Sequence, residues 1–352
     1  MPKKITLPGL VDVHTHLREP GATQKEDFET GTKAAAAGGY TVILDMPNNP
    51  IPTVSPQALD QKIALATGRI YCDLGFHFGA TKDSTKHFNL LKNKIFGLKV
   101  YMNHTTGDLL LEDGHILEEV FSRWPKGKII MVHAEGETLI KAINFAGKFK
   151  SRLHVCHIAT KQEIELIKKA KKQGLDISCE VSCHHLFLTE EDAKSLGPFG
   201  KVRPPLATEE DRKSLWDNLD SIDMIASDHA PHTKEEKNGP NPPNGVPGLE
   251  TSLPLLLTAV SEGRLTIEKL IELTNENPRR IFNIPDQPDT FIEVEFTKPY
   301  ILNPIPLFTK CHWTPFEGME VRGRVKRVIL RGQIVFEDGK ISGPFGKVIF
   351  PS

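Results

Sequence analysis

Two histidines near the N-terminus are the first residues of this sequence that could do chemistry. His14 and His16 are separated by one residue and end an apolar segment, residues 7–16, that is predicted to be a β-strand. Residues i and i+2 of a strand point to the same face, so both imidazoles can bind one metal ion. A motif this short also occurs at strand ends without any metal, so it does not decide the question alone.

Residues of metal-binding type recur at the ends of other predicted strands. His133 ends one strand, His157 a second and Asp228 a third, while Lys99 lies inside the apolar segment 97–102. A lysine in a buried strand must be paired, neutral or modified, unless its ammonium reaches the rim. One histidine on a strand is usually a packed core residue, but the whole set favours a metal site.

The types of these ligands favour zinc. Imidazole and carboxylate are suitable zinc ligands, and the set contains no thiolate-rich cage of the structural kind. Cys156 precedes His157, and Glu180 lies in the next predicted strand, so these two residues are candidates for an additional zinc. The alternative is that Cys156 is a packed small thiol and Glu180 an ordinary polar residue.

Eight apolar, β-branched segments could position these residues at one end of a barrel. They are nearly continuous, as expected of parallel strands that are covered on both faces, and helical segments separate them. Eight βα units in roughly 250 residues predict an α/β protein with a (β/α)8 TIM barrel, whose chemistry lies at the carboxyl ends of the strands. A doubly wound sheet is the alternative, but no glycine-rich dinucleotide fingerprint follows the first strand. The predicted strands are residues 7–16, 41–48, 72–80, 97–102, 128–135, 152–159, 175–185 and 224–231.

Helix-capping and turn residues predict helices between the strands and one long loop after the last strand. Thr160 and Glu163 form a capping-box pattern that opens a helix ending near Gln173, with Gly174 as its stop. Further helices are predicted over residues 55–67, 112–124 and 208–219. Residues 232–248, rich in Pro, Gly and Asn, are predicted to form a long loop over the barrel mouth.

The pattern changes after residue 288 to short alternating strands. Residues 325–330 and 333–336 flank a turn at Arg331-Gly332, and residues 337–340 form a second turn signal. We therefore predict a barrel over residues 7–288 and a small β-subdomain with a C-terminal extension, formed by residues 1–6 and 289–352.

Composition excludes several classes of function. The 352 residues carry a net charge of -1, which gives no electrostatic reason to expect nucleic acid or an anionic membrane as a partner. The apolar stretches are too short to span a bilayer, and no signal peptide is evident. Five scattered cysteines do not make a disulfide framework. A cytoplasmic location is the expectation.

Three longer motifs resemble those of dihydroorotases in the amidohydrolase superfamily. They are residues 11–21, which contain His14-Thr15-His16-Leu17-Arg18, then Met46-Pro47-Asn48, and residues 226–232 around Asp228. The resemblance covers essentially the whole chain and is closest to the dihydroorotase domain of the animal CAD polyprotein. It implies a metal-dependent amidohydrolase barrel with a small β-subdomain. It also implies zinc-dependent interconversion of N-carbamoyl-L-aspartate and L-dihydroorotate in de novo pyrimidine (UMP) biosynthesis.

The resemblance implies a ligand set for the metals. Two zinc ions per subunit are bridged by Lys99, N-carboxylated so that a cation becomes an anionic ligand. The remaining ligands are His14, His16 and Asp228 for one ion, and His133 and His157 for the other. Cys156 and Glu180 match the ligands of a third zinc.

The resemblance also implies how substrate is bound. Arg18, Asn48 and His232 contact its α-carboxylate, while Arg203 and the backbone at Asn244 contact the ring or the carbamoyl part. Asp228 is the catalytic residue, which takes a proton from the attacking water and passes it to the leaving nitrogen.

Two features depart from the CAD type. The loop Asn103-His104-Thr105-Thr106 has a Thr-Thr pair where that type has threonine followed by an aromatic residue. We expect this loop to close over carbamoyl aspartate, with Thr105 bonding to the substrate. Cys183 stands where the CAD domain has proline.

Two other functions compete with this interpretation. Another cyclic amidohydrolase, such as a hydantoinase or an allantoinase, would use the same metals, but Arg18 suits a substrate with a free carboxylate. Arg18 could instead be structural and pair with Glu19 or Asp27. The second alternative is a non-catalytic scaffold partner of aspartate transcarbamoylase, and the intact ligand set argues against it. A homodimer is expected from the family and from the prevalence of twofold oligomers, and association with aspartate transcarbamoylase is conceivable.

Overall fold

Eight parallel strands form the wall of a barrel in the computed structural model, which describes residues 3–303 and 307–352. Nearly every strand residue is buried, as expected of parallel strands with helices outside and a packed interior. The prediction of a (β/α)8 barrel is confirmed. The barrel strands are Leu10–Thr15, Tyr40–Asp45, Asp73–Phe76 with Phe78–Gly79, Leu98–Tyr101, Ile129–His133, Arg152–Val155, Ile177–Ser182 and Met224–Ala226.

The pairing of the strands closes the ring. The third strand is interrupted at His77, so Asp73–Phe76 pairs with the second strand and Phe78–Gly79 with the fourth. Parallel pairing then continues to the eighth strand. The first and eighth segments join where Thr15 forms a parallel bridge with His229, and the His16 amide donates to the His229 carbonyl at 2.8 Å. The sheet is therefore a closed barrel and not a doubly wound open sheet.

Helices between the strands begin within two residues of their predicted starts. Thr160 and Glu163 make the reciprocal capping-box bonds at the start of Lys161–Lys172, and Ser55 and Thr208 cap Pro56–Ala66 and Glu209–Asp217. These predictions are confirmed. The α-helices of the described residues are Phe28–Ala37, Pro56–Ala66, Phe88–Leu91, Gly114–Arg123, Glu137–Phe149, Lys161–Lys172, Cys183–Phe187, Glu190–Leu196, Glu209–Asp217, Lys234–Lys237, Leu249–Ser261, Ile267–Ile271 and Asn277–Phe282. In the described ranges, none of these helices has the length and apolarity that a membrane crossing requires.

A second sheet stands beside the barrel and is antiparallel. Its hairpin turns at Arg331-Gly332, and a further turn precedes its last strand, as predicted. The N-terminal strand Lys3–Pro8 pairs with Phe291–Phe296 in this sheet. The order is Lys3–Pro8, Phe291–Phe296, Arg324–Leu330, Gln333–Glu337 and Lys340–Ile341. A short pair, Tyr300–Ile301 with Glu320–Val321, lies apart. The proposed division of the chain into residues 7–288 and the remainder stays a prediction.

The predicted strands were too long. The segment 7–16 comprises parts of two strands in two sheets, because the chain passes between them at Gly9, where a side chain would lie 2.3 Å from Thr41. The segment 175–185 ends as a strand at Ser182, and a short helix, Cys183–Phe187, follows. The segment 224–231 ends as a strand at Ala226. Beyond these two strand ends lie the polar residues His184, His185, Ser227, Asp228 and His229, which the predicted strands include.

Candidate metal centre and anion pocket

A cavity of ≈ 30 Å³ opens at the carboxyl ends of the barrel strands. A volume of that size accommodates about one or two water molecules. Most of the predicted site residues line it: His14, His16, Arg18, Asn48, Lys99, Thr105, His133, His157, Arg203, Asp228 and Asn244. The three others, Cys156, Glu180 and His232, lie buried behind this lining. The fold thus brings together residues that are more than 200 positions apart in the chain.

Three of these residues have a strained backbone. Arg18, His157 and Asp228 have φ angles of 64°, 35° and 46°, in the left-handed region that side chains other than glycine rarely adopt. Such conformations persist only where the surrounding structure enforces them, and they cluster at functional sites. Each lies just beyond a barrel strand, where the turn directs its side chain to the cavity.

One candidate metal cluster consists of His14, His16 and Asp228. A ligand atom from each lies within 4.8 Å of the others. The Nε2 atoms of His14 and His16 lie 3.4 and 3.3 Å from the same carboxylate oxygen of Asp228. His16 Nδ1 lies 2.8 Å from Asn48 Oδ1, a contact that orients the ring with Nε2 toward Asp228. This support from Asn48 is a role that the sequence did not indicate.

His133 and His157 form a neighbouring pair. His133 Nδ1 and His157 Nε2 lie 2.9 Å apart. The other ring nitrogens, His133 Nε2 and His157 Nδ1, are buried without a hydrogen-bond partner in the described residues. His133 Nε2 also lies 3.4 Å from a carboxylate oxygen of Glu135. Buried polar atoms are normally satisfied, so two adjacent imidazoles with unpaired nitrogens fit a site that binds a metal ion.

Lys99 is fully buried between the two clusters. Its Nζ atom donates to Cys156 Sγ at 2.8 Å and lies 5.1 Å from the centre of the Tyr101 ring. No carboxylate forms an ion pair with Lys99 within residues 3–303 and 307–352. An uncompensated buried ammonium is costly, and conversion to a carbamate removes that cost. Tyr101 was missed by the sequence reasoning, although an aromatic residue two positions along a strand shares the face of Lys99.

A second metal-type cluster combines His14, Cys156 and Glu180, all buried. One oxygen of Glu180 contacts His14 Nδ1, and the other lies 3.0 Å from His154 Nε2. His14 therefore belongs to both clusters, through opposite ring nitrogens. The sequence indicated that Cys156 and Glu180 could bind a metal together. It did not indicate that His14 joins this second cluster or that His154 supports Glu180.

Burial sets the protonation states of the site. It lowers the pKa of His14, and lowers those of His16 and His157 well below the usual value for histidine. Neutral imidazoles are the form that binds metal. Burial raises the pKa of Asp228, against an opposing effect from His14. It likewise raises the pKa of the Cys156 thiol, so that thiolate forms there only if a cation stabilises it.

Arg18 forms one wall of the cavity. Its Nε donates to the Pro231 carbonyl at 3.0 Å, and its Nη2 lies 3.0 Å from His232 Nε2. Burial lowers the pKa of Arg18 to about 10, so the guanidinium stays charged at neutral pH. The suggested pairing of Arg18 with Glu19 or Asp27 is wrong, because Glu19 pairs with Arg69 and Asp27 with Lys310.

A loop covers the cavity beside Arg18. The Thr106 carbonyl accepts from Asn48 Nδ2 at 2.8 Å, and Thr106 Oγ1 donates to the Asn244 carbonyl at 3.3 Å. Thr105 lines the cavity next to these contacts. On the opposite side, Arg203 Nε donates to Glu135 at 2.8 Å. The arrangement offers metal ligands on one wall and the guanidinium of Arg18 on another.

Sequence comparison finds a family match and long alignments. The profile of the Amidohydrolase family matches residues 5–335. The multifunctional protein CAD of Squalus acanthias is 50% identical over 98% of this chain, and dihydroorotase of Pyrococcus abyssi is 38% identical over 97%. The chain covers 85% of the Pyrococcus protein but only 15% of the length of the multifunctional one.

Comparison with solved structures finds the same fold in a hydantoinase and in an inactive dihydroorotase-like domain. L-hydantoinase (dihydropyrimidinase) from Arthrobacter aurescens superposes with a TM-score of 0.93 at 27% identity, covering 99% of this chain and 89% of that one. The inactive dihydroorotase-like domain of the Chaetomium thermophilum CAD-like multifunctional protein superposes with a TM-score of 0.85 at 27% identity, covering 99% of both chains. Fold alone therefore does not separate active from inactive relatives, and the residues of the site must do so.

Proposed function

Because this chain belongs to the amidohydrolase family, in which its curated relatives include dihydroorotases, we propose that it is a dihydroorotase. It interconverts N-carbamoyl-L-aspartate and L-dihydroorotate by closing or opening a cyclic amide. The observation that carries the proposal is Arg18, a buried and charged guanidinium facing the same cavity as His14, His16 and Asp228. A substrate with a free carboxylate next to its cyclic amide matches that combination.

Two zinc ions are the proposed cofactors, and the residues fit them. His14, His16 and Asp228 would hold one ion and His133 and His157 the other, and Lys99, as an N-carboxylate, would bridge them. That modification joins the lysine nitrogen to the carbon of carbon dioxide; starting from the ammonium two protons are lost, one to form the neutral amine and one on forming the carbamate. A third zinc at His14, Cys156 and Glu180 is proposed from the second cluster. When bound, zinc polarises the amide carbonyl and lowers the pKa of water.

The side chains of the protein bind the substrate and transfer the protons. Arg18 and Asn48 bind the α-carboxylate and fix the ring against the metal wall, with His232 supporting Arg18 from behind. Asp228 accepts a proton from the attacking water and delivers it to the ring nitrogen that leaves. In the biosynthetic direction it removes a proton from the attacking nitrogen.

The covering loop controls access. The loop holding Thr105 and Thr106 opens for substrate and closes by the contacts of Thr106 to Asn48 and Asn244. Closure excludes water from the site. Arg203 and Asn244 complete the pocket around the ring or the carbamoyl group.

The partners and location of the chain are also proposals. The multifunctional relatives suggest association with other enzymes of the same pathway, aspartate transcarbamoylase among them, and a homodimer is proposed for the chain itself. The cytoplasm is the proposed location.

A direct assay separates the three candidate functions. The purified chain, supplied with zinc and bicarbonate, is incubated with dihydroorotate, with hydantoin and with allantoin, and bound metal is counted. We expect hydrolysis of dihydroorotate that a chelator abolishes and zinc restores. Preferred turnover of hydantoin or allantoin would replace the proposal with that activity. A metal-loaded chain that turns over none of the three would instead be a scaffold, like the inactive relative.

A further inference from the structure

A buried ion pair lies beneath the loop that carries Arg18. Asp45 ends the second barrel strand and Lys62 lies on the helix Pro56–Ala66. The carboxylate Oδ2 and the ammonium Nζ are 2.5 Å apart, and both side chains are 0% exposed. Neither residue lines the cavity. Burying two charges in a core is costly, and apolar residues of similar volume often give a protein of equal or greater stability. Stability alone therefore does not explain the presence of this ion pair.

The pair holds the chain on both sides of Arg18. Asp45 Oδ1 accepts the backbone N–H of Leu17 at 2.7 Å. Lys62 Nζ donates to Asn49 Oδ1 at 2.8 Å, and Asn49 Nδ2 in turn donates to the Glu19 carbonyl at 2.9 Å. The residues before and after Arg18 are therefore both tied to the same two buried charges.

The same pair also holds the chain on both sides of Asn48. Lys62 Nζ donates to the Met46 carbonyl at 2.9 Å as well as to Asn49. Met46 and Asn49 flank Pro47 and Asn48. The two residues proposed to bind the substrate carboxylate thus come from separate strand ends, and one buried ion pair sets their relative position.

Charge gives a second reason for the pair. Burial raises the pKa of Asp45 and lowers that of Arg18, and the attraction between these two groups opposes both shifts. An unpaired carboxylate at that depth would compete with a substrate for the guanidinium. Lys62 neutralises Asp45, so Arg18 remains available to a ligand in the cavity. The left-handed backbone of Arg18, at φ 64°, needs such support, because an unsupported residue relaxes out of that region.

We infer that Asp45 and Lys62 are positioning residues that set the affinity of this site for the substrate carboxylate. The inference rests on the proposed function, because it takes Arg18 and Asn48 as the carboxylate-binding groups. It assigns to the pair no part in the chemical step, so its effect is on KM and not on kcat.

The test replaces both charges together. Asp45→Leu with Lys62→Met removes the pair without leaving an unpaired buried charge, which is the change most compatible with folding. Misplacement of a binding group by about 1 Å can cost up to about a hundredfold, so we expect KM for dihydroorotate to rise by about tenfold to a hundredfold. We expect kcat to change far less, and the zinc content to stay at the wild-type value.

Two further variants keep the test decisive. Asn49→Ala leaves the ion pair intact but removes the tie to Glu19, so it should raise KM by a smaller factor even if the double variant fails to fold. Arg69→Met is the matched control, because Arg69 pairs with Glu19 at 3.0 Å from the half-exposed outer side of the same loop. KM should be unchanged in that control.

The outcomes separate the inference from the proposed function. An unchanged KM in the folded double variant, or in Asn49→Ala, overturns the positioning role. A parallel loss of kcat and melting temperature with unchanged KM also overturns it, because that pattern marks a purely structural pair. If the proposed function itself is wrong, the wild-type chain fails to turn over dihydroorotate before any variant is compared.

Discussion

Replacement of Arg18 by methionine is the perturbation that most directly tests the proposed substrate. Methionine keeps an unbranched apolar stem of similar reach and removes the guanidinium. Arginine has five N–H donors, and at most two of them are engaged, by the Pro231 carbonyl and His232 Nε2. The remaining donors are available to a carboxylate in the cavity, and a planar fork of two parallel bonds is the arrangement that lysine cannot copy.

The expected loss of kcat/KM follows from the number of N–H donors that Arg18 can offer to the carboxylate. Hydrogen bonds to charged groups contribute about 1.5–3 kcal/mol each, and truncating one partner of a buried charge pair costs about 2–5 kcal/mol. At about 1.4 kcal/mol per factor of ten, kcat/KM for dihydroorotate should fall by about thirtyfold to several thousandfold. The loss should be much smaller for dihydrouracil, which has the same ring without the carboxylate.

The assay measures kcat/KM of the wild type and of Arg18→Met on both compounds, with melting temperature as a control for folding. Losses of equal proportion on the two compounds would refute the reasoning, because they would show that Arg18 supports the structure and not the carboxylate. In that case the hydantoinase-like alternative gains support. A selective loss on dihydroorotate would support the carboxylate pocket.

Three further changes probe other parts of the site. Asp228→Asn should retain at least one zinc while activity falls about a hundredfold or more, as measured by metal analysis and steady-state kinetics, and near-native turnover would exclude its proton-transfer role. Lys99→Ala should lose metal and activity, with partial rescue by added short carboxylates, and clear density for an unmodified lysine in an active, metal-loaded crystal would contradict the carbamate. Lys237→Met removes a buried ammonium that donates to the carbonyls of Lys201, Pro243 and Gly245. This substitution should lower the free energy of unfolding in urea by about 1–3 kcal/mol. The control Lys201→Met loses one exposed hydrogen bond to Pro242 and should change that free energy little. Equal effects of the two substitutions would show that burial of the Lys237 ammonium is not the cause of the loss.

The barrel could be predicted because its signal is local. Parallel strands covered on both faces have continuous apolar sequences, and caps such as Thr160 and Ser55 mark where helices begin. The candidate ligands could be predicted for a related reason. In this fold, polar residues that follow buried strands meet at one end of the barrel, whichever strands carry them.

Strand ends could not be predicted to the residue. The strands end at Ser182 and Ala226, and composition does not report where a backbone leaves the β region. The left-handed conformations of Arg18, His157 and Asp228 follow from the surrounding contacts and not from the residue types. Local preference indicates them only in part, since Asp and His occur in that region more often than most side chains, whereas Arg does not.

The sequence by itself determined the class of fold, the set of metal-type ligands and the arginine that suits a carboxylate, because each depends on residue types and short spacings. Only the tertiary structure decided which atoms meet. It placed Asn48 against His16, assigned His14 to two clusters and put His232 behind Arg18. It also set the Asp45–Lys62 pair beneath the loop. These contacts join residues from different strands, and their geometry exists only once the barrel has closed and the strand ends have been brought into register.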